Sequence, residues 1–480
     1  MSRECSREPT RRTFLQTVLC SASAALAGCS FDGGEGERGP TPRAESTPDP
    51  AETPSQDPGG PTPTESDPTA TPEPVHPMAE EYDRAIDVVE EGVDPTGEIP
   101  IRDRLPDLGT DALLFLPEGR YLVDGGWDLS TFDRLALIGD GATLVPRDGY
   151  RGTMFYFAED RETRSVHIEG VTFDFSADET GPRPMNLRAT DELFVGDVAV
   201  KGSTRGVRFD VTDPDGRGEI NRLRLTDGGL PGLNAVGCLV SPKNQGELVF
   251  EDCRIAGFPN NGLYASPSNG PVTVDGGQFT NNGIANVRVS GPSTVDGVTV
   301  TCDRAPEGFL NMRGIWLRGG RCTVENCEIE LRTLTYSDGA VVGVWHGDLR
   351  NTDIRVDADE VPAISVKPGD DAGRSHSKVD QGITCTDVTI DGSAAKASTV
   401  LVTDYESCSF ENISIHQSGA NRDGLYLIRS DGAVVRDSVI GVTGQPIRAE
   451  DSSVERINVE TTTLAPKSGS DSDSTPDASS

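Results

Sequence analysis

Cations are in short supply in this chain. Its 480 residues carry 43 Lys and Arg against 78 Asp and Glu, a formal net charge of −35, and Lys is much rarer than Arg. A surface that acidic repels phosphate, which argues against nucleic acid or a bare anionic membrane face as a direct partner. Long apolar runs are scarce too: the stretch from Val18 to Leu26 is too short to span a bilayer. No CxxC and no Cys/His ligand spacing occurs, so nothing points to a metal centre built on sulfur. The body of the chain also lacks the helical period, apolar residues three and four apart over ten or more positions.

What is present instead is one phrase, repeated: apolar, any, Asp/Asn/Gly, apolar, any, apolar. It occurs as Ile168-Glu-Gly-Val-Thr-Phe173, Val195-Gly-Asp-Val-Ala-Val200, Ile220-Asn-Arg-Leu-Arg-Leu225, Phe250-Glu-Asp-Cys-Arg-Ile255, Val274-Asp-Gly-Gly-Gln-Phe279 and Val295-Asp-Gly-Val-Thr-Val300. It continues as Val324-Glu-Asn-Cys-Glu-Ile329, Leu349-Arg-Asn-Thr-Asp-Ile354, Cys385-Thr-Asp-Val-Thr-Ile390, Phe410-Glu-Asn-Ile-Ser-Ile415, Val435-Arg-Asp-Ser-Val-Ile440 and Val454-Glu-Arg-Ile-Asn-Val459. First positions run from 168 to 454 in eleven steps, a mean of 26 residues, the spacing of a solenoid. The fourth and sixth positions alternate as in a half-buried strand, and the third suits a left-handed bend. One such strand per coil, stacked on its counterpart, makes a parallel sheet with apolar ladders inside; twelve coils at about 4.8 Å give a rod roughly 55 Å long.

A second strand follows most copies, each opened by Gly: Gly262-Leu-Tyr-Ala265, Gly283-Ile-Ala285, Gly314-Ile-Trp-Leu-Arg318, Gly343-Val-Trp-His346 and Gly424-Leu-Tyr-Leu427. Leu114-Phe-Leu-Pro-Glu-Gly-Arg-Tyr-Leu-Val123 and Ile138-Gly-Asp-Gly-Ala-Thr-Leu144 look like an opening coil. From about residue 80 to 460 the pattern resembles the right-handed, single-stranded parallel β-helix of the pectin-lyase-like superfamily. That resemblance implies an all-β solenoid domain over 79–463 and says little about chemistry. Residues 79–92, with Tyr82, Ile86 and Val89 on one face and Gly92 as a stop, read as a short capping helix over the first coil.

The ends differ in kind. Thr10-Arg-Arg-Thr-Phe-Leu-Gln16 resembles a twin-arginine export signal, and Leu26-Ala-Gly-Cys29 resembles a lipobox, which together assign 1–28 to a signal peptide and Cys29 to lipidation. The expectation is a protein held at the outer face of the cell membrane by its lipid alone. Residues 29–78 and 464–480 are Pro, Thr, Ser and acidic, too poor in apolar surface to order, and read as a tether and a tail. With the acidic surface, this organisation resembles exported lipoproteins of haloarchaea. Of ten cysteines, Cys5, Cys20 and Cys29 belong to the signal and lipid site, leaving seven; Cys253, Cys327 and Cys385 fall on inward positions of the phrase, as small apolar filler.

Chemistry has two candidate seats. The longest step, from Leu349 to Cys385, carries the insertion Lys367-Pro-Gly-Asp-Asp-Ala-Gly-Arg-Ser-His-Ser-Lys-Val-Asp380. In it Asp370 and Asp371 could hold Ca²⁺ or act as acid and base, and Arg374, His376 or Lys378 could take a proton; the plainer reading is a solvated charged loop. Asn351-Thr-Asp353 and Asp370-Asp371 echo polygalacturonase-type hydrolases, yet the Gly-His-Gly and Arg-Ile-Lys of that pattern are missing and Asn351 is accounted for by the bend. A lyase needs less and fits better.

The second seat is the second strand. If Leu263, Ile315, Val344 and Leu425 point inward, Tyr264, Trp316, Trp345 and Tyr426 point outward as an aromatic stripe, with Arg288, Arg318, Lys367 and Arg448 near it for acidic sugars. The competing reading has these rings packed under neighbouring loops. The sequence therefore points to a monomeric surface β-helix that binds a polysaccharide or cell-surface glycan along one lateral face, with or without cleaving it. Its rival is an envelope or adhesion spacer without catalysis.

Overall fold

The computed structural model describes residues 75–157, 163–343, 346–367 and 382–466. Its ladders are those the phrase demands. Ile168 opposes Val195, Val195 opposes Ile220, and Val274, Val295 and Val324 follow one another in register, all in parallel pairs. The column runs back through Leu137 and Leu114 to Ile86 and forward to Cys385, Phe410 and Val435. Every residue in it is at most 6% exposed. The result is an all-β parallel solenoid of about 14 turns.

The third position of the phrase is where each coil turns a corner. Eleven of the twelve copies place a residue of positive φ there, from Asn351 at 43° to Gly170 at 70°. Asn, Asp and Gly tolerate that region, and their side chains tie one coil to the next. The amide of Asn351 donates to Asn326 Oδ1 at 2.6 Å, Asn326 to Asp296 at 2.6 Å, and Asn458 to Asp437 at 2.7 Å. The exception is the last copy. Val435 opposes Arg456 and not Val454, so the bend of the final coil falls at Asn458, two residues after the position the phrase assigns.

Among the described residues 22 strands make one sheet, spanning both sides of this bend, and 13 make the other, one per coil. A single apolar core fills the space between them. The expected helix over 79–92 is replaced by a 3-10 turn, Pro77–Glu81, and a strand, Arg84–Asp87. Pairing explains the difference. As a strand the segment puts Ile86 on the ladder beside Leu114, whereas an isolated helix of that length is marginal. Tyr82 then lies against Leu113, Ala136 and Ile138, covering the outer face of the larger sheet.

Candidate functional site

In the 13-strand sheet, Leu263, Val287, Ile315 and Val341 oppose one another and are buried in the core. Alternation turns the next residue of each strand outward, so Tyr264, Arg288, Trp316 and Val342 form the outer column, continued by Ser365, Leu401, Tyr426 and Arg448. Tyr264, Trp316 and Tyr426 thus share one column. The Gly-led reading misplaces two rungs. The strand of one coil is Ile284–Val289, which presents Arg288, and that of another is Val341–Gly343, which presents Val342 opposite Trp316. Trp345 lies outside the described residues.

Corner asparagines set the angle of this wall. Asn286 is fully buried, accepts from the Asn282 N–H at 3.1 Å and donates to the Arg313 carbonyl at 3.1 Å; Asn282 donates to the Ile255 carbonyl at 2.9 Å. Buried amides satisfied on both ends cannot rotate without losing those bonds. They hold the starts of two strands and hence the two arginines those strands carry.

Around Trp316 the guanidinium groups gather. Arg288 sits 4.0 Å from its ring centroid and 4.4 Å from that of Tyr264, Arg313 sits 4.1 Å away and Arg318 5.0 Å. Ring quadrupoles attract such cations. Trp316 faces outward yet is only 8% exposed, packed beside Ala285 and Val342. Its face is given to cations of the same protein; Arg288 is buried with it at 5% exposure, so what this wall offers a ligand is the half-buried Arg313 and Arg318 more than indole.

Arg313 is anchored from the far side. Its Nε donates to Asp338 Oδ2 at 2.9 Å, and Tyr336 donates its hydroxyl to Asp338 Oδ1 at 2.7 Å. Burial pushes the Asp338 carboxyl up, but the Arg313 charge, the Tyr336 hydroxyl and the Lys367 charge together hold it below the usual value. Burial and the Asp338 charge push the Tyr336 phenol up. Lys367 is exposed, and Tyr336 is 48% exposed. Farther along, Arg448 lies 4.1 Å over the Tyr426 ring, whose hydroxyl donates to Glu450.

Of the other expected residues, Asp370, Asp371, Arg374, His376 and Lys378, with the Ca²⁺ site they would make, lie outside the described residues, as does Cys29. Among the described residues no group of three or more His, Cys, Asp or Glu is arranged to hold a metal. Asn351 occupies a bend, and Asp353 stands on the outer face of the larger sheet between Glu328 and Thr389. Arg313, Tyr336 and Asp338 were missed by the sequence reading. Arg313 stands two places before the inward Ile315, so strict alternation would have turned it inward; the strand breaks its alternation at Gly314, which sets Arg313 opposite Ala285 and over Trp316.

No protein-family model matches the sequence, and no curated protein is significantly similar to it. Solved structures similar in fold include PfbA, a surface adhesin of Streptococcus pneumoniae, at 14% identity over 80% of this chain and 92% of that one, TM-score 0.47. The A-module of the Azotobacter vinelandii mannuronan C-5 epimerase AlgE6 is 14% identical over 79% of this chain and 99% of its own, TM-score 0.42. A Yersinia enterocolitica family 28 exopolygalacturonase is 10% identical over 80% and 79%, TM-score 0.24. With identities this low, the functional reading rests on the residues of this chain.

Proposed function

We propose that this chain is an exported surface β-helix, tethered through Cys29, that binds a polysaccharide along the outer face of its 13-strand sheet. The observation that carries the reading is the in-register column of Tyr264, Arg288 and Trp316 with Arg313 and Arg318 beside it: a concentration of guanidinium on a chain of net charge −35. Guanidinium edges pair with the carboxylates of acidic sugars, while Tyr336 and Lys367 supply rim contacts. Cleavage, if it occurs, falls to the insertion at 367–380, where a lyase with Asp370 and Asp371 on Ca²⁺ and a base among Arg374, His376 and Lys378 is the favoured chemistry.

The spacer reading draws support from the burial of Trp316. The two separate in one titration: tryptophan fluorescence of the folded chain is followed while oligogalacturonate, alginate and neutral glycans are added. Arg313→Ala is expected to weaken the response to an acidic glycan by about tenfold, since it removes one charge-assisted contact. A parent protein whose fluorescence ignores every glycan would leave the spacer reading standing. Release of unsaturated sugar ends, absorbing in the ultraviolet and abolished by a calcium chelator, would establish a lyase.

A further inference from the structure

A second basic feature lies on the other sheet, and nothing in the glycan-binding column accounts for it. In two successive copies of the phrase the fifth position is arginine, Arg224 and then Arg254, and the two stand opposite each other in register. Like charges on adjacent strands about 4.8 Å apart repel. Both are exposed, and neither has an ion pair or side-chain hydrogen bond among the described residues. Most exposed arginines among the described residues do have a carboxylate partner; Arg222 beside them donates to both oxygens of Asp197, at 2.7 and 2.6 Å. Two guanidinium groups side by side, with only the longer-range pull of Arg224 on Asp197 to set against them, make a locally positive patch on a protein so rich in acid.

The backbone next to them is shaped to match. At the two bends that follow, the usual Asp or Asn is replaced by glycine, Gly276 and Gly297, with φ of 64° and 62°. The side-chain ladder along the corner stops there and leaves a cleft of about 330 Å³, walled by Arg222, Arg224 and Arg254, floored by glycine and continued by Gln278 and Thr299. Arg224, Arg254, Gln278 and Thr299 are consecutive rungs of one row along the rod. Glu328 and Asp353 come next and close the row to anions.

We propose that this trough is an anionic subsite for an acidic saccharide. One carboxylate or sulfate group is straddled by Arg224 and Arg254, and Gln278 and Thr299 bond the hydroxyls of the adjoining ring. Asp252, whose carboxylate overhangs Gly276, accepts a further hydroxyl of that ring. The site is independent of the column around Trp316.

The test is fluorescence anisotropy of a labelled trigalacturonate on the folded chain. Arg224→Ala with Arg254→Ala is expected to weaken binding by about tenfold or more, and the paired Lys replacements by less, because they keep the charge and lose the planar fork. Gly297→Asn restores the residue used at Asn326 and Asn351; a Cβ there meets nothing closer than 3.7 Å, so the variant folds, fills the trough and is expected to weaken binding with both arginines intact. Affinity unchanged by the double Ala replacement, an equal loss for neutral maltotriose, or polyglutamate bound as tightly as the saccharide would each overturn the proposal. Tryptophan fluorescence reports the column separately: loss of that response with trough binding intact sinks the column alone, and the converse sinks the trough alone.

Discussion

Seven thiols line the interior of the coil: Cys238, Cys253, Cys302, Cys322, Cys327, Cys385 and Cys408, all buried and none in a disulfide. Burial pushes Cys253, Cys302 and Cys322 up to about 12 and Cys327 and Cys408 up to about 11. A thiol held that far from thiolate is a small apolar filler and a poor nucleophile. An aromatic disulfide reagent is therefore expected to label none of the seven in the folded chain and all of them in denaturant. Rapid labelling of any one without denaturant would show that its coil opens. Arg422 is the polar counterpart of these residues. It is fully buried and donates to the carbonyls of Lys396 and Val361, both at 2.8 Å, stitching three coils together at the cost of a charge out of water.

At the scale of the element, the corner of the larger sheet is what the phrase encodes. Asn351 combines a φ of 43° with a 2.6 Å bond to the Asn326 side chain. Asn351→Ala loses both the tolerance of that conformation and the ladder bond, and is expected to cost about 1–3 kcal/mol. Asn351→Gly, which loses only the bond, should cost less. Chemical denaturation of the two variants gives the comparison, and a glycine variant as unstable as the alanine one would remove backbone strain from the account. The phrase was legible because its inward and bend positions answer to forces inside one coil. Its outward positions were not. Arg288 and Val342 entered the column, in place of residues aligned by a leading glycine, because strand pairing and not glycine sets the register. The N-terminal segment misled for a related reason: its apolar spacing fits a helix, yet the exposed edge of the strand Asp111–Leu116 gives it a better partner.

For the molecule as a whole, charge sets the response to solvent. Hydrogen bonds from Thr96 hold Asp94 down to about 2. Asp174, pushed up by burial, is pulled down to about 2 by Ser176 and Arg120. Arg222 lowers Asp197; Asp357 is pushed up by burial and brought below its usual value by Arg355 and Ser393. Carboxyls whose folded pKa lies below the ordinary 3.8 stabilise the fold above that value and lose their contribution as pH falls from about 4 towards 2. Relief of self-repulsion acts the other way, as a chain at −35 loses net negative charge on acidification. Thermal melting followed by circular dichroism is expected to show stability highest near about pH 4–5 and falling steeply below. A melting temperature still rising at about pH 2 would mean that repulsion outweighs the paired carboxyls.

The repeat, its inward residues and its left-handed corner were settled by the sequence alone, because every coil solves the same local problem with the same few residue types. Which outward side chains share a wall was decided only by the tertiary structure. Neighbours on that wall come from coils some twenty to thirty residues apart, joined by loops of unequal length, and the pairing of strands, not the phrase, brings Arg224 against Arg254 and lays Arg288 over Trp316.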